Sequence, residues 1–277
     1  VAWRRPTAVL SVSAGTPRNT SDEQYGVYAW LAARDGYAWK QMAEKAKINP
    51  AELGSLGIAG FSAFHGFANG FLKNPVDAAR CCYVHLADAC FLGAGATKPH
   101  EGYAKFATEA ALGKGDKLMV ATTNGPWGKP LEYSYDYGDP SGPVHFSLTS
   151  GAQCFELTWN AAMAAVGGKP SKPEVPPGLP EPSRSFRVGN LIWLHYETMT
   201  KGLPNPCKGE YTLHGWHVSA LATPLMQYYG APWMAGERGG ALSAPGGSTA
   251  KLVVAGAAAV FAYALVRLVL RPWRGQP

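Results

Sequence analysis

The stretch LGIAGFSAFHGFANGFL, residues 56–72, decides how the chain is read, because it carries no charge and spaces Gly66 and Gly70 four residues apart. Asn49, Pro50 and Glu52 just before it form a helix-start signal, proline being suited to a first turn. The spacing predicts one helix running from about 50 to 72. Small residues on such a helix let a neighbouring helix approach closely, in water or in lipid. About seventeen apolar or small residues stand at the lower limit for crossing a bilayer. Ser62, His65 and Asn69 reduce the hydropathy, so a helix buried inside protein is expected.

Residues 1–20 show no sustained period and read as an extended N-terminal arm. Ser21 with Gln24 is a capping-box pattern opening a helix over 22–47. Further helices are expected over 75–92, 99–112 and 150–166, with a short strand over 117–123. Strict alternation over 131–137, a Gly-Asp-Pro-Ser-Gly turn and a second run to 148 predict an antiparallel hairpin near 131–148. Residues 21–166 then form a helical body. Prolines at 170, 173, 176, 177, 180 and 182 forbid regular helix, so 167–185 reads as an extended linker and a domain boundary. Beyond it, 186–240 is a second segment, strand-like over 186–199 and helical from 218, packing on the body or on a partner. The fold class expected is mostly α with a small antiparallel β hairpin, an α+β body followed by one transmembrane helix.

That helix is placed at 251–271. Residues 252–266 (LVVAGAAAVFAYALV) are apolar or small without interruption, and with Arg267 and the next three residues make a span of roughly 28 Å, close to the ~30 Å hydrocarbon core. Arg267 sits near the end, where its stem can lie along the helix while the guanidinium reaches headgroups. Trp273 suits the interface. Arg267, Arg271 and Arg274 flank one end and Lys251 the other, so the basic stub 272–277 faces the positive-inside compartment. Val1 in place of Met implies removal of a targeting segment. The expected location is therefore the mitochondrial inner membrane, with the body in the intermembrane space and the C-terminus in the matrix. A cytosol-facing outer-membrane tail anchor is the rival geometry.

Composition narrows the function. At 47% apolar and 12% aromatic residues the chain has too much oily surface to remain unfolded. Four charges of the net +6 are Lys251, Arg267, Arg271 and Arg274, so the basicity is largely a tail property and nucleic acid is not an expected partner. Glycine-rich phosphate cradles, haem-attachment, zinc-protease and G-x-S-x-G hydrolase motifs are missing, and the five cysteines (81, 82, 90, 154 and 207) fit no zinc or twin-cysteine spacing. On a helix over 75–92, Cys81, His85 and Asp88 fall on one face, a donor set able to bind a metal. His195, His214 and His217 are further candidate ligands. The bland alternative is that these residues pack a core.

The function these features suggest is an accessory, non-catalytic, single-pass subunit of a respiratory-chain or ATP-synthase assembly. Its partners are other subunits and the lipid bilayer, with bound lipid and no obligatory cofactor. Trp127, Trp193, Trp216 and Trp233 are expected to meet other chains or lipid. The alternatives are a membrane-tethered metal-binding protein or enzyme built on Cys81, His85 and Asp88, and an outer-membrane adaptor.

Overall fold

The computed structural model describes residues 47, 49, 56–61, 64–93, 95–124, 131–135, 144–148, 151–197 and 217–234. Along the chain these form β1 (Leu56–Phe61), α1 (Phe64–Lys73), α2 (Pro75–Arg80), β2 (Cys81–Ala87), α3 (Glu101–Ala111), β3 (Leu118–Asn124), β4 (Leu131–Tyr135), β5 (Val144–Leu148), α4 (Gly151–Val166), β6 (Arg184–Val188) and β7 (Leu191–Tyr196). A last helical segment, α5, covers 217–234, with wide turns at His217–Ala222 and Met226–Gly230.

The expectation of a mostly α body is overturned: among the described residues the core is a five-stranded sheet in the order β1-β2-β3-β7-β6. β1, β2, β3 and β7 run parallel, and β6 pairs antiparallel with β7 at the edge. This is an α/β fold, with helices interleaved between strands. Side chains of α1, α3 and α4 share one core with the sheet, and those of α5 share the other, so both faces are covered. The hairpin β4–β5 forms as expected, joining Leu131 to Leu148 and Tyr135 to Val144.

Two segments read as helices are strands for a physical reason. All seven residues of β2 are buried, because both faces of a parallel sheet are covered. Such a strand loses period-two alternation and becomes an apolar run that periodicity cannot separate from a buried helix. Residues 56–72 divide into β1 and α1, and the glycines serve close packing within the body. A Cβ at Gly57 would lie 3.3 Å from Tyr83 Cδ1, and one at Gly60 would fall inside the Phe64 ring.

The proline-rich stretch does not lead into a separate body, since β6 and β7 beyond it complete the same sheet. It forms a strap antiparallel to β6, with Ser171 and Arg187 exchanging backbone hydrogen bonds of 2.9 and 2.8 Å. Tyr229 donates its hydroxyl to Glu174 O, which fastens the strap to α5. Trp193, expected against another chain or lipid, is buried among Phe155, Trp159 and Phe186, with ring centroids 5.4–5.9 Å away. Cys90 and Cys154 form a disulfide with Cα atoms 5.7 Å apart, a pairing the cysteine spacing did not reveal. Among the described residues no helix is long and apolar enough to cross a membrane. The expected anchor at 251–271, the arm at 1–20 and the helix at 22–47 lie outside or almost wholly outside the described residues.

Candidate active site at the carboxyl edge of the sheet

In a parallel sheet the carboxyl ends of neighbouring strands open onto one edge, and that edge is where such folds assemble sites. Here the strand ends are Phe61, Ala87, Asn124 and Tyr196. The residue following Phe61 in the chain is Ser62. Residues 62 and 63 lie outside the described residues, and α1 begins at Phe64. A strand therefore passes to a helix across two residues, with Gly60 and Phe64 packed against each other from either side.

Asp88 follows β2 directly and is fully buried. It adopts φ 45°, a left-handed conformation that L residues other than Asn and Asp seldom take. Its N–H donates to Thr122 O at 2.8 Å, and its Oδ1 accepts from Asn124 N–H at 3.2 Å. Gly151, at the start of α4, presses on the same carboxyl so closely that a Cβ there would collide with Oδ1.

β3 ends in Thr122, Thr123 and Asn124, and period two sends the two threonines to opposite faces. Thr122 Oγ1 lies 2.9 Å from His217 Nδ1 and has Leu86 O as an acceptor at 3.5 Å. With its own proton directed to Leu86, that hydroxyl receives the Nδ1–H of His217, which makes Nε2 the lone-pair nitrogen. Thr123 Oγ1 lies 3.0 Å from His195 Nδ1 and receives Trp193 Nε1–H at 2.8 Å. His195 Nε2 lies 3.9 Å from Glu197 Oε1. Burial lowers the His195 pKa, opposed chiefly by Glu197.

His217 stands on the α5 side, edge-on to Tyr196 at 5.9 Å between centroids. From the same segment Ala222 packs against Phe61 and Ala87, the residues just before Ser62 and Asp88. His85 lies on this face too, and neither of its ring nitrogens has a hydrogen-bond partner among the described residues. Burial, and secondly the nearby His217, push its pKa down to about 3.

The trio read as a metal set is distributed along a strand. Cys81 opens β2, His85 lies within it and Asp88 follows its end, so the strand from Cys81 to Ala87 alone puts about 20 Å between Cys81 and the Asp88 turn at ~3.3 Å per residue. Cys81 donates to Tyr83 O at 3.4 Å, and burial followed by Cys82 raises its pKa to about 12, an inert thiol. Among the described residues no three His, Cys, Asp or Glu side chains are grouped to hold a metal ion. His214, Lys251, Arg267, Arg271, Trp273 and Arg274 lie outside the described residues.

Sequence reasoning singled out Asp88, His195 and His217 for metal chemistry and passed over Ser62, Thr122 and Thr123. The available signal was Gly60-Phe61-Ser62 at the end of an apolar run of strand length, but a second glycine was demanded at 64, where phenylalanine stands. Comparison of the chain with family models, with curated proteins and with solved structures gives no match in any of the three.

Proposed function

We propose that the chain is a serine-dependent acyl hydrolase, with Ser62 as nucleophile and His217, held at Nδ1 by Thr122, as general base. What supports this is the two-residue interval between β1 and α1, with Gly60 packed against Phe64, at the carboxyl edge of a parallel sheet, and a serine at 62 in the sequence. A sharp strand–Ser–helix turn is how α/β-hydrolases present a nucleophile above the sheet, and their partners follow in the chain order Ser, Asp, His. Ser62 likewise precedes His217 in this chain. His195 lies on β7, three strand spacings, ~14 Å, from β1. His217 sits on the helix that covers the end of β1.

In the reaction, Ser62 Oγ attacks the ester or related acyl carbon while His217 Nε2 takes its proton and then delivers it to the leaving group. Water repeats the sequence on the acyl-enzyme and regenerates Ser62. Thr122 holds Nδ1 so that Nε2 is the atom that exchanges the proton. The Cys90–Cys154 disulfide suits an oxidising compartment. That supports keeping the anchor at 251–271 and the body on the non-cytosolic side within this proposal.

A fluorophosphonate probe tests the reading on the full chain in detergent. One equivalent of label, lost in Ser62→Ala and slowed in His217→Gln, is expected. Folded protein that takes no label returns the chain to the accessory, non-catalytic reading, which rests on residues outside those described.

A further inference from the structure

We propose that α5 is an acid-released cover: protonation of His85 lifts residues 217–234 from the sheet while α1, α3 and α4 stay in place on the other face. The device does not depend on the hydrolase reading. Period two sends Tyr83, His85 and Ala87 of β2 to one face, and that face is the one beneath α5. Ala87 packs against Ala222, Tyr83 shares a cluster with Leu221, Leu225 and Tyr229, and the Tyr83 and His85 rings meet edge-on at 6.4 Å between centroids. His85 is 1% exposed, and its two ring nitrogens have no hydrogen-bond partner among the described residues. A neutral imidazole is tolerated there, whereas an imidazolium must be hydrated or paired.

The surroundings do not supply the pairing. Ala59 of β1 and Val120 of β3 stand opposite His85 in register. The titratable groups on that side are Tyr83, Tyr196 of β7, and His217, Tyr228 and Tyr229 of α5. Burial raises the pKa of each of these four tyrosines, so none is an anion near neutral pH. Charge enters from the strap and from the rims. Glu174 accepts from Tyr228 at 3.0 Å, Glu181 pairs with Lys172 at 2.6 Å, Arg187 of β6 acts on Tyr229, and Asp116 receives Trp233 on its carbonyl. The ionisable group that bears on His85 is His217, of like sign when protonated. Relief therefore comes from water, once α5 has left. The two faces are also fastened differently. Cys90–Cys154 ties α4 covalently to the segment after β2. α5 is held by hydrogen bonds, Thr122 with His217 at one end, Asp116 O with Trp233 Nε1–H at the other, and Tyr228 and Tyr229 on Glu174. Its wide turns at His217–Ala222 and Met226–Gly230 are of the π type, rare in helices and recurrent at functional sites.

Native-state hydrogen exchange on the full chain in detergent, at pH 7 and pH 5 and in low urea, tests the release. Protection over 217–234, corrected for intrinsic rates, is expected to fall about 25-fold between the two pH values, given a pKa of about 3 with α5 docked and 6.5 with it open. This exchange should depend little on urea, while α3 and α4 exchange through global unfolding with a steep urea slope. His85→Leu is expected to abolish the pH dependence over 217–234. His85→Gln, polar but without a titrating group, takes its place if the leucine variant does not fold. His217→Gln should retain most of the response. Exchange of α5 only together with α3 and α4, at one urea slope, overturns the inference. So does a pH response that survives His85→Leu or vanishes in His217→Gln. The measurement needs no turnover, so its outcome is separate from that of serine labelling.

Discussion

The two faces of β3 carry the same residue pair, a threonine hydroxyl against Nδ1 of a buried histidine, and yet the third group on each hydroxyl differs. On the α5 face Thr122 gives its proton to Leu86 O and accepts from His217. On the α4 face Thr123 accepts from Trp193 Nε1–H and lies 3.0 Å from His195 Nδ1. The lesson is that a carbonyl as third group fixes the direction of the hydroxyl's bond to the ring, whereas an indole N–H leaves the hydroxyl able to give or to receive. One ring keeps a basic Nε2 near the end of β1, whereas the other is a neutral core residue.

Exchanging the histidines breaks the comparison most severely. His217→Gln is expected to reduce kcat by about 10³-fold or more, the range for loss of a catalytic base. His195→Gln leaves kcat within a few-fold and lowers stability by about 1–3 kcal/mol through its disturbed buried hydrogen bonds. Ester turnover and chemical denaturation, measured on both variants, check the asymmetry. Equal kinetic losses would remove His217 from its role.

Acid should strain the α5 face first. The folded pKa of His85, about 3, lies below the ordinary 6.5, so the unfolded chain binds the proton that the folded one refuses. Stability is complete above pH 6.5 and is lost as the pH falls from there toward 3. Across pH 6.5 to 5 this amounts to about 2 kcal/mol. His195 titrates in the same sense, but Glu197 opposes its shift. His85→Leu should therefore flatten the stability curve over that interval more than His195→Gln does, in urea midpoints measured at both pH values.

Smaller effects sharpen the contrast. Thr123→Val deprives both Trp193 and His195 of a partner and should cost about 1–3 kcal/mol with little change in kcat. Thr122→Val should reverse that pattern, lowering kcat more than stability. Least of all, Glu197→Gln should move stability by no more than about 0.5 kcal/mol at pH 7, because its pairing with Arg184 is half exposed.

Legibility in the sequence followed the turn signals at element borders. α3, α4, β3, the hairpin and α5 were found near their observed places, and β6 with β7 as one strand-like run over 186–199, although β3 and β7 are as fully buried as β2. β1 and β2 were lost in segments read as helix. In β2 the covering of both faces erased alternation, and in β1 Gly57 and Gly60 looked like helix-contact residues while accommodating Tyr83 and Phe64. Once 75–92 was taken as a helix, Cys81, His85 and Asp88 acquired a common face that the strand does not have. Asp88 and His217 were visible as chemistry-bearing residues. Their companions were not, since Asn124 and Cys154 meet the acid turn only through tertiary folding, the two cysteines being 64 residues apart.

The proline strap has a consequence for association between copies. β6 is an outer strand of the sheet, and an outer strand offers unpaired amides and carbonyls to any foreign strand. The strap lies against that rim, meets it at Ser171 and Arg187, and places Pro173 and Pro176 in buried positions. Proline has no N–H to extend a ladder. Growth of a fibre-like sheet from this rim is therefore capped by the chain's own covalent continuation, and a second molecule would have to peel the strap from Tyr229 before it could add a strand.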